Sequence, residues 1–245
     1  MANSSNISLP REKCMKCREE NDILMSSCSH FGVVVGDCDH KFCQNCFRLE
    51  NISTNVIINT SSFNCPCCST VFYSNMRSIE EAVHIGEAAT LSIYLSPKLS
   101  PPADPVISDE YISHINQLNK VVIEKLEAAL LLNPSNFDTL YFLSRSCYAG
   151  LKFLYDNDQL SDKHADFCRI KLFSYAYRLI DHTPGRYDSF KVESCYQLAS
   201  VFGAYSNYSA ALEHDKLAYE YCLRSPDQKI VCIQICIPQV ARWLC

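Results

Sequence analysis

Eight residues of metal-ligand type fall within the first 68 positions at intervals that leave few folds open: Cys14-x2-Cys17, twenty residues, Cys38-x-His40-x2-Cys43-x2-Cys46, eighteen residues, then Cys65-x2-Cys68. A C-x2-C pair suits a tight turn that aims two thiolates at one ion, and zinc takes four such sulfur or nitrogen ligands tetrahedrally. Eight ligands make two closed sites. With no position left for water, both are expected to be structural, and no residue of the segment is assigned a catalytic role. Residues 14 to 68 are rich in Cys, Ser and Asn, and short apolar runs such as Val33 to Val35 allow one or two strands but no substantial core. Below about 70 residues a domain of that kind needs staples, and metal can supply them.

The chain has 16 cysteines, and a disulfide framework is the competing explanation for them. Met1 to Lys13 is polar and lacks the apolar stretch of an export signal, so a reduced, intracellular and cytoplasmic setting is expected. No run approaches eighteen apolar residues, so no membrane partner is expected. A net charge of -5, with no basic stripe to neutralise phosphates, makes nucleic acid an unexpected partner as well.

The ligand string resembles the C3HC4 RING family, over roughly the first quarter of the chain. The resemblance implies two interleaved zinc ions, one held by Cys14, Cys17, Cys43 and Cys46, the other by Cys38, His40, Cys65 and Cys68. Cys28-x-His30 imitates Cys38-x-His40 but lies too far before Cys43 for the family pattern. Cys68, not Cys67, restores the two-residue gap after Cys65, and Pro66 stands where the family's C-P-x-C turn has its proline. The family implies an E3 ubiquitin ligase that has no catalytic residue of its own and positions an E2 enzyme loaded with ubiquitin. The implied E2 contact is Met15, Lys16, Phe47, Leu49 and Pro66. Lys16 stands where the family favours an aliphatic residue, Glu50 where an indole is common, and Ser69 where a basic residue often follows the last ligand. Those three residues point to the alternative, a zinc-stabilised scaffold without transfer activity.

The rest of the chain reads as helical. From Arg77 to about Tyr94, Ile79, Ala82, Val83, Gly86, Ala89 and Ile93 recur every three or four residues and predict one amphipathic helix. Pro97, Pro101, Pro102 and Pro105 forbid regular structure after it. Ser108, Asp109 and Glu110 then open a helix that keeps Ile112, Ile115, Leu118, Val122, Leu126 and Ala129 on one face until Asn133 and Pro134 stop it. Two helix pairs follow, punctuated at Asn157 to Ser161, Thr183 to Gly185, Tyr205 to Asn207 and Ser225 to Pro226.

Ser194 to Tyr219 resembles a tetratricopeptide repeat through Leu198, Ala199, Phe202, Tyr208, Ala211 and Ala218, with Asp215 where the repeat buries an aromatic. A longer upstream unit carries Leu140, Leu143, Ser144 and Cys147, then Phe173 and Ala176; Glu127 to Pro134 looks like the close of another. The resemblance implies a concave surface that binds a protein or peptide substrate. The expected organisation is a disordered tail at 1–10, the zinc finger at 11–74, a connecting helix at 75–95, a Pro-rich linker at 96–107 and the repeat-like domain at 108–245. The fold class is thus a small zinc-stabilised α+β RING domain followed by an all-α domain of helical hairpins. Cys147, Cys168, Cys195, Cys222, Cys232 and Cys236 read as small core residues. His84, His114, His164, His182 and His214 are scattered, with no nucleophile assigned to any of them. The apolar run Ile230 to Ile237, ended by Pro238, is expected to pack on the preceding helices.

Overall fold

The computed structural model describes residues 12–21, 25–26, 40–49, 62–68, 71–73, 77–99, 108–184 and 188–224. The chain forms two compact units, Met1–Thr139 and Leu140–Cys245. The described structure is mostly helical, with three two-stranded antiparallel ribbons near the N-terminus. The tail at 1–10, Val33 to Val35, most of the Pro-rich linker and the run Ile230 to Ile237 lie outside the described residues.

In the first unit β1 (Glu12–Lys13) pairs with β2 (Glu20–Asn21), β3 (Met25–Ser26) with β4 (Lys41–Phe42), and β5 (Ser62–Asn64) with β6 (Val71–Tyr73). A short helix, α1, spans 44–49. α2 (Ile79–Leu95) is capped by Ser78, whose Oγ accepts the Glu81 N–H at 3.1 Å. α3 (Asp109–Leu132) is capped in the same way by Ser108, which accepts from the Tyr111 N–H at 3.2 Å. On α3 the face Ile112, Ile115, Leu118, Val122, Leu126 and Ala129 is buried throughout. On α2 the sequence pattern is only partly realised. Ile93 is 37 % exposed, and Ile85, Ala88, Leu91 and Leu95 are buried in addition to Ala82, Val83 and Ala89. The reason is that α2 packs against α3 and also against β3, so it buries most of its circumference where a single stripe was expected.

A polar knot fixes the start of α2. The Glu81 carboxylate is fully buried, and its Oε1 accepts hydrogen bonds from Asn133 Nδ2 at 2.9 Å and Asn136 Nδ2 at 2.8 Å. Its Oε2 accepts from the Arg77 backbone N–H at 2.6 Å. Asn136 in turn accepts from the Thr139 N–H at 3.1 Å, so one carboxylate ties the α2 N-terminus to the turn that ends α3. Lys125 on α3 reaches Glu87 on α2 at 2.6 Å, and α2 is also clamped to α1. The Arg48 guanidinium holds Glu80 through two bonds, Nε–Oε1 at 2.9 Å and Nη2–Oε2 at 2.7 Å.

The second unit is built on α4 (Phe137–Asp156), α5 (Lys163–His182), α6 (Asp188–Ala204) and α7 (Tyr208–Arg224). The breaks between them fall at the punctuation the sequence carries. α4 and α5 have 20 residues each and α6 and α7 have 17. α6 packs on both α5 and α7. Leu198, Ala199, Ala211 and Ala218 are completely buried there, the small alanines allowing close approach of the helices. α4 meets α6 through Ser144 Oγ, which donates to Gln197 Oε1 at 2.8 Å, and through Tyr141, which stacks on Phe190 at 4.2 Å and donates to Glu193.

His214 of α7 sits in an aromatic stack. Its ring lies parallel to Phe202 at 5.4 Å, Phe202 stacks on Phe173 at 5.1 Å, and His214 Nε2 lies 3.1 Å from the Tyr177 hydroxyl. Burial lowers the His214 pKa from its ordinary value, against a smaller opposing pull from Glu213. A histidine depressed in the folded state takes up its proton more readily when unfolded. Its contribution is therefore complete above about pH 6.5 and is lost as pH falls through and below that value. We expect urea midpoints of the full chain to drop between about pH 7 and 5, and His214→Gln to flatten that part of the profile. A profile with the same slope in the variant would place the effect elsewhere.

Candidate metal centre

Turns and helix starts of the first unit gather the cysteines. Between β1 and β2 the chain reverses, with the Cys14 N–H bonded to the Glu19 carbonyl at 2.9 Å and the Arg18 N–H to the Cys14 carbonyl at 2.8 Å. Arg18 takes a left-handed φ of 68°, which lets the C-x2-C turn close. Cys43 immediately precedes α1 and Cys46 lies in its first turn, with the Cys46 N–H 3.5 Å from Cys43 Sγ. Cys65 to Cys68 form the turn between β5 and β6.

These turns place Cys14, Cys17, Cys43 and Cys46 in one group and His40, Cys65 and Cys68 in another, the ligand atoms of each group lying within 4.8 Å of one another. Cys38 lies outside the described residues. The two groups alternate along the chain: the first takes one pair from before His40 and one from after it, and His40 itself reaches forward to Cys65 and Cys68. Cys67 is not part of either group; its N–H donates to Cys65 Sγ at 3.4 Å, and burial pushes its own thiol up.

The spacing within each group can be compared with what an ion requires. Two sulfurs, each about 2.3 Å from a shared tetrahedral zinc, are separated by about 3.8 Å. Cys14 Sγ lies 3.8 Å from Cys46 Sγ, and Cys17 Sγ lies 3.9 Å from Cys43 Sγ. In the second group Cys65 Sγ is 3.8 Å from His40 Nδ1, near the edge of about 3.6 Å expected for one sulfur and one nitrogen. The donor set is soft and the edge lengths are tetrahedral, so both groups could hold a metal ion and fit zinc.

The electrostatics call for a cation in the same place. Burial resists ionisation of Cys14, yet backbone N–H groups of Cys17, Cys43 and Lys16 outweigh it and bring the thiol down to about 6; the Cys43 N–H lies 3.3 Å from its sulfur. Cys46 is driven strongly the other way, by burial and then by the neighbouring thiols of Cys43, Cys17 and Cys14. Four thiolates so close repel one another, and only some can ionise unaided. A divalent ion reverses that repulsion and makes deprotonation of all four favourable.

The residues that the family resemblance marks as an E2 contact separate by exposure. Met15 is 44 % exposed, Lys16 is also exposed, and Leu49 is 75 % exposed. Phe47 is buried and stacks on Phe42 at 5.8 Å, and Pro66 is buried as well. Phe47 and Pro66 therefore support the turns beneath the surface, and Met15, Lys16 and Leu49 form what can be touched. Glu50 and Ser69 lie outside the described residues.

Elsewhere, one pairing corrects the sequence reading. His164 on α5 does meet a potential nucleophile, with its Nε2 3.4 Å from Cys168 Sγ. Cys168 is completely buried and burial pushes its thiol up to about 12, so at neutral pH it is a core thiol and not a thiolate. Cys147 and Cys195 are likewise buried and outside any disulfide, whereas Cys222 is disulfide-bonded. Among the described residues no helix is long and apolar enough to cross a membrane. No protein-family model matches the chain, nor does any curated protein or solved structure.

Proposed function

We propose that the chain is a RING-type zinc finger protein acting as an E3 ubiquitin ligase, with two structural zinc ions in the first unit and a substrate- or partner-binding helical unit following it in the sequence. The observation that carries this reading is the alternation of the two metal-binding groups along the chain. Independent fingers bind one ion per contiguous stretch. Interleaved sites, held by short ribbons and one helix, are the cross-braced arrangement of a RING, and the resemblance of the ligand string supports the same conclusion. In this reading Cys14, Cys17, Cys43 and Cys46 hold one zinc and Cys38, His40, Cys65 and Cys68 the other. Zinc here supplies folding energy and no chemistry of its own.

The exposed Met15, Lys16 and Leu49 form the E2-facing surface, which Phe47 and Pro66 brace from below. The clamp of Arg48 on Glu80 links α1, which bears Leu49, to α2. The helical unit supports a tetratricopeptide-like role through its α6–α7 pair, its buried Ala199, Ala211 and Ala218, and the α4–α6 contact. The rival reading is a zinc-stabilised scaffold. It is favoured by the buried Phe47, which removes the aromatic from the contact surface, and by the exposed charge of Lys16.

Autoubiquitination of the zinc-loaded, full-length protein with a panel of E2 enzymes separates the two. The ligase reading expects zinc-dependent ubiquitin chains that fall at least tenfold in Leu49→Ala, a loss of about 1.4 kcal/mol at the E2 contact. A folded, zinc-replete protein that is inert with every E2 supports the scaffold.

A further inference from the structure

The second unit contains a cavity of about 400 Å³ between the C-terminal halves of α4 and α6 and the start of α7. Ligand pockets begin at roughly 300 Å³, so this one is of useful size. Five tyrosines line it: Tyr148, Tyr155, Tyr196, Tyr205 and Tyr208. The Tyr148 and Ser200 hydroxyls share a hydrogen bond at its wall, and the Tyr205 hydroxyl is buried without a hydrogen-bond partner among the described residues. Lys152 and Asp156, the charged residues of the lining, are paired with each other. The pocket is thus rich in aromatic faces, supplied with hydroxyls, and electrically balanced.

We propose that this cavity binds a proline-rich peptide segment in the extended left-handed polyproline conformation. The inference rests on the reading of the helical unit as the partner-binding part, and it specifies the class of partner. Proline rings pack against aromatic faces, and the preformed polyproline helix loses little entropy on binding. Each proline brings a carbonyl and no N–H, so such a ligand has surplus acceptors and needs donors. Tyrosine hydroxyls of the lining are those donors. The neutralised Lys152–Asp156 pair leaves no net charge to select an acidic or basic peptide. The length also matches. Tyr148 and Tyr155 on α4 are seven residues apart, a rise of about 10 Å along the helix. One turn of polyproline helix, three residues, is about 9 Å long.

The test uses the full-length, zinc-loaded protein and a fluorescein-labelled ten-proline peptide, with a glycine-serine peptide of equal length as the comparison, read by anisotropy. Tyr155 and Tyr208 are 50 % and 55 % exposed, so Tyr155→Ala and Tyr208→Ala are expected to keep the fold. The proposal expects tighter binding of the proline peptide than of its counterpart, and an approximately tenfold loss in each alanine variant with an unchanged thermal midpoint. Equal binding of the two peptides, or variants that bind the proline peptide as the wild type does, overturns it. The ligase reading stands apart from this result. Autoubiquitination with no preference for the proline peptide sinks only this inference, and peptide binding by a protein inert with every E2 sinks only the ligase.

Discussion

Stripping metal from this protein is expected to unfold the cysteine-rich part of the first unit while α4 to α7 stay helical. The ribbons there are two or three residues long, and among the described residues of the cysteine-rich part the large buried side chains are Phe42 and Phe47. Its described residues offer little core to fall back on. Zinc bound to structural sites contributes on the order of 10 kcal/mol or more to folding, as much as the whole stability of an ordinary domain. The helical unit has its own core, with Leu140, Leu143, Leu154, Leu172, Leu179 and Leu198 all fully buried, and does not need the ion. The alternation of the two groups adds a sharper expectation. Cys14→Ser removes a ligand of the first group only, but the same backbone positions both groups, so the variant should lose zinc from both and retain well under one ion per chain. Cys67→Ser, outside both groups, should retain as much zinc as the wild type. Zinc content after gel filtration, together with far-ultraviolet circular dichroism, reads both outcomes. A Cys14→Ser protein holding one full zinc equivalent would mean that the sites fold independently.

The second large effect is expected at Glu81. Replacing it by alanine leaves the amides of Asn133 and Asn136, both buried, without their acceptor, and frees the Arg77 N–H. Hydrogen bonds to a charged acceptor contribute about 1.5–3 kcal/mol each, and an orphaned buried donor costs about 1–3 kcal/mol. The Arg77 N–H lies nearer solvent and can be hydrated, so the sum is roughly 3–5 kcal/mol. For a unit of this size that lowers the midpoint of thermal unfolding by about 10 °C or more. Glu81→Gln is informative beside it: the amide oxygen can still serve the two asparagines, but an NH2 then faces the Arg77 N–H, donor against donor. Its loss should be smaller, about 1–3 kcal/mol. Denaturant unfolding of the two variants measures this directly, and an alanine variant within 1 kcal/mol of wild type would show that the knot contributes nothing net.

How far the sequence foretold these features depends on the range of the interaction. Turn and cap signals are local, and they were legible: Ser108 caps α3, and Asn157, Thr183 and Tyr205 each fall where a helix has just ended. The cysteine string was legible for the same reason, because each C-x2-C pair is a turn whose spacing survives in one dimension. Ile93 was misplaced because periodicity assumes one buried stripe, while α2 has neighbours on more than one side. The compact units divide at Thr139 and Leu140 and α3 packs on α2, a long-range pairing that no local pattern marks. The Glu81 knot joins residues 52 and 55 positions apart, and no local pattern marks a surface-type residue as buried. The contact of Cys168 with His164 is different. The two residues are four apart on one helix, so the signal was present and readable.

Metal content is the most direct test of the central claim, which is that two interleaved groups each hold one structural zinc. Elemental analysis of the full-length protein, purified without chelator under reducing conditions, should give two zinc ions per chain. A soluble, folded chain that carries no zinc, and takes none up when zinc is supplied, would contradict the account.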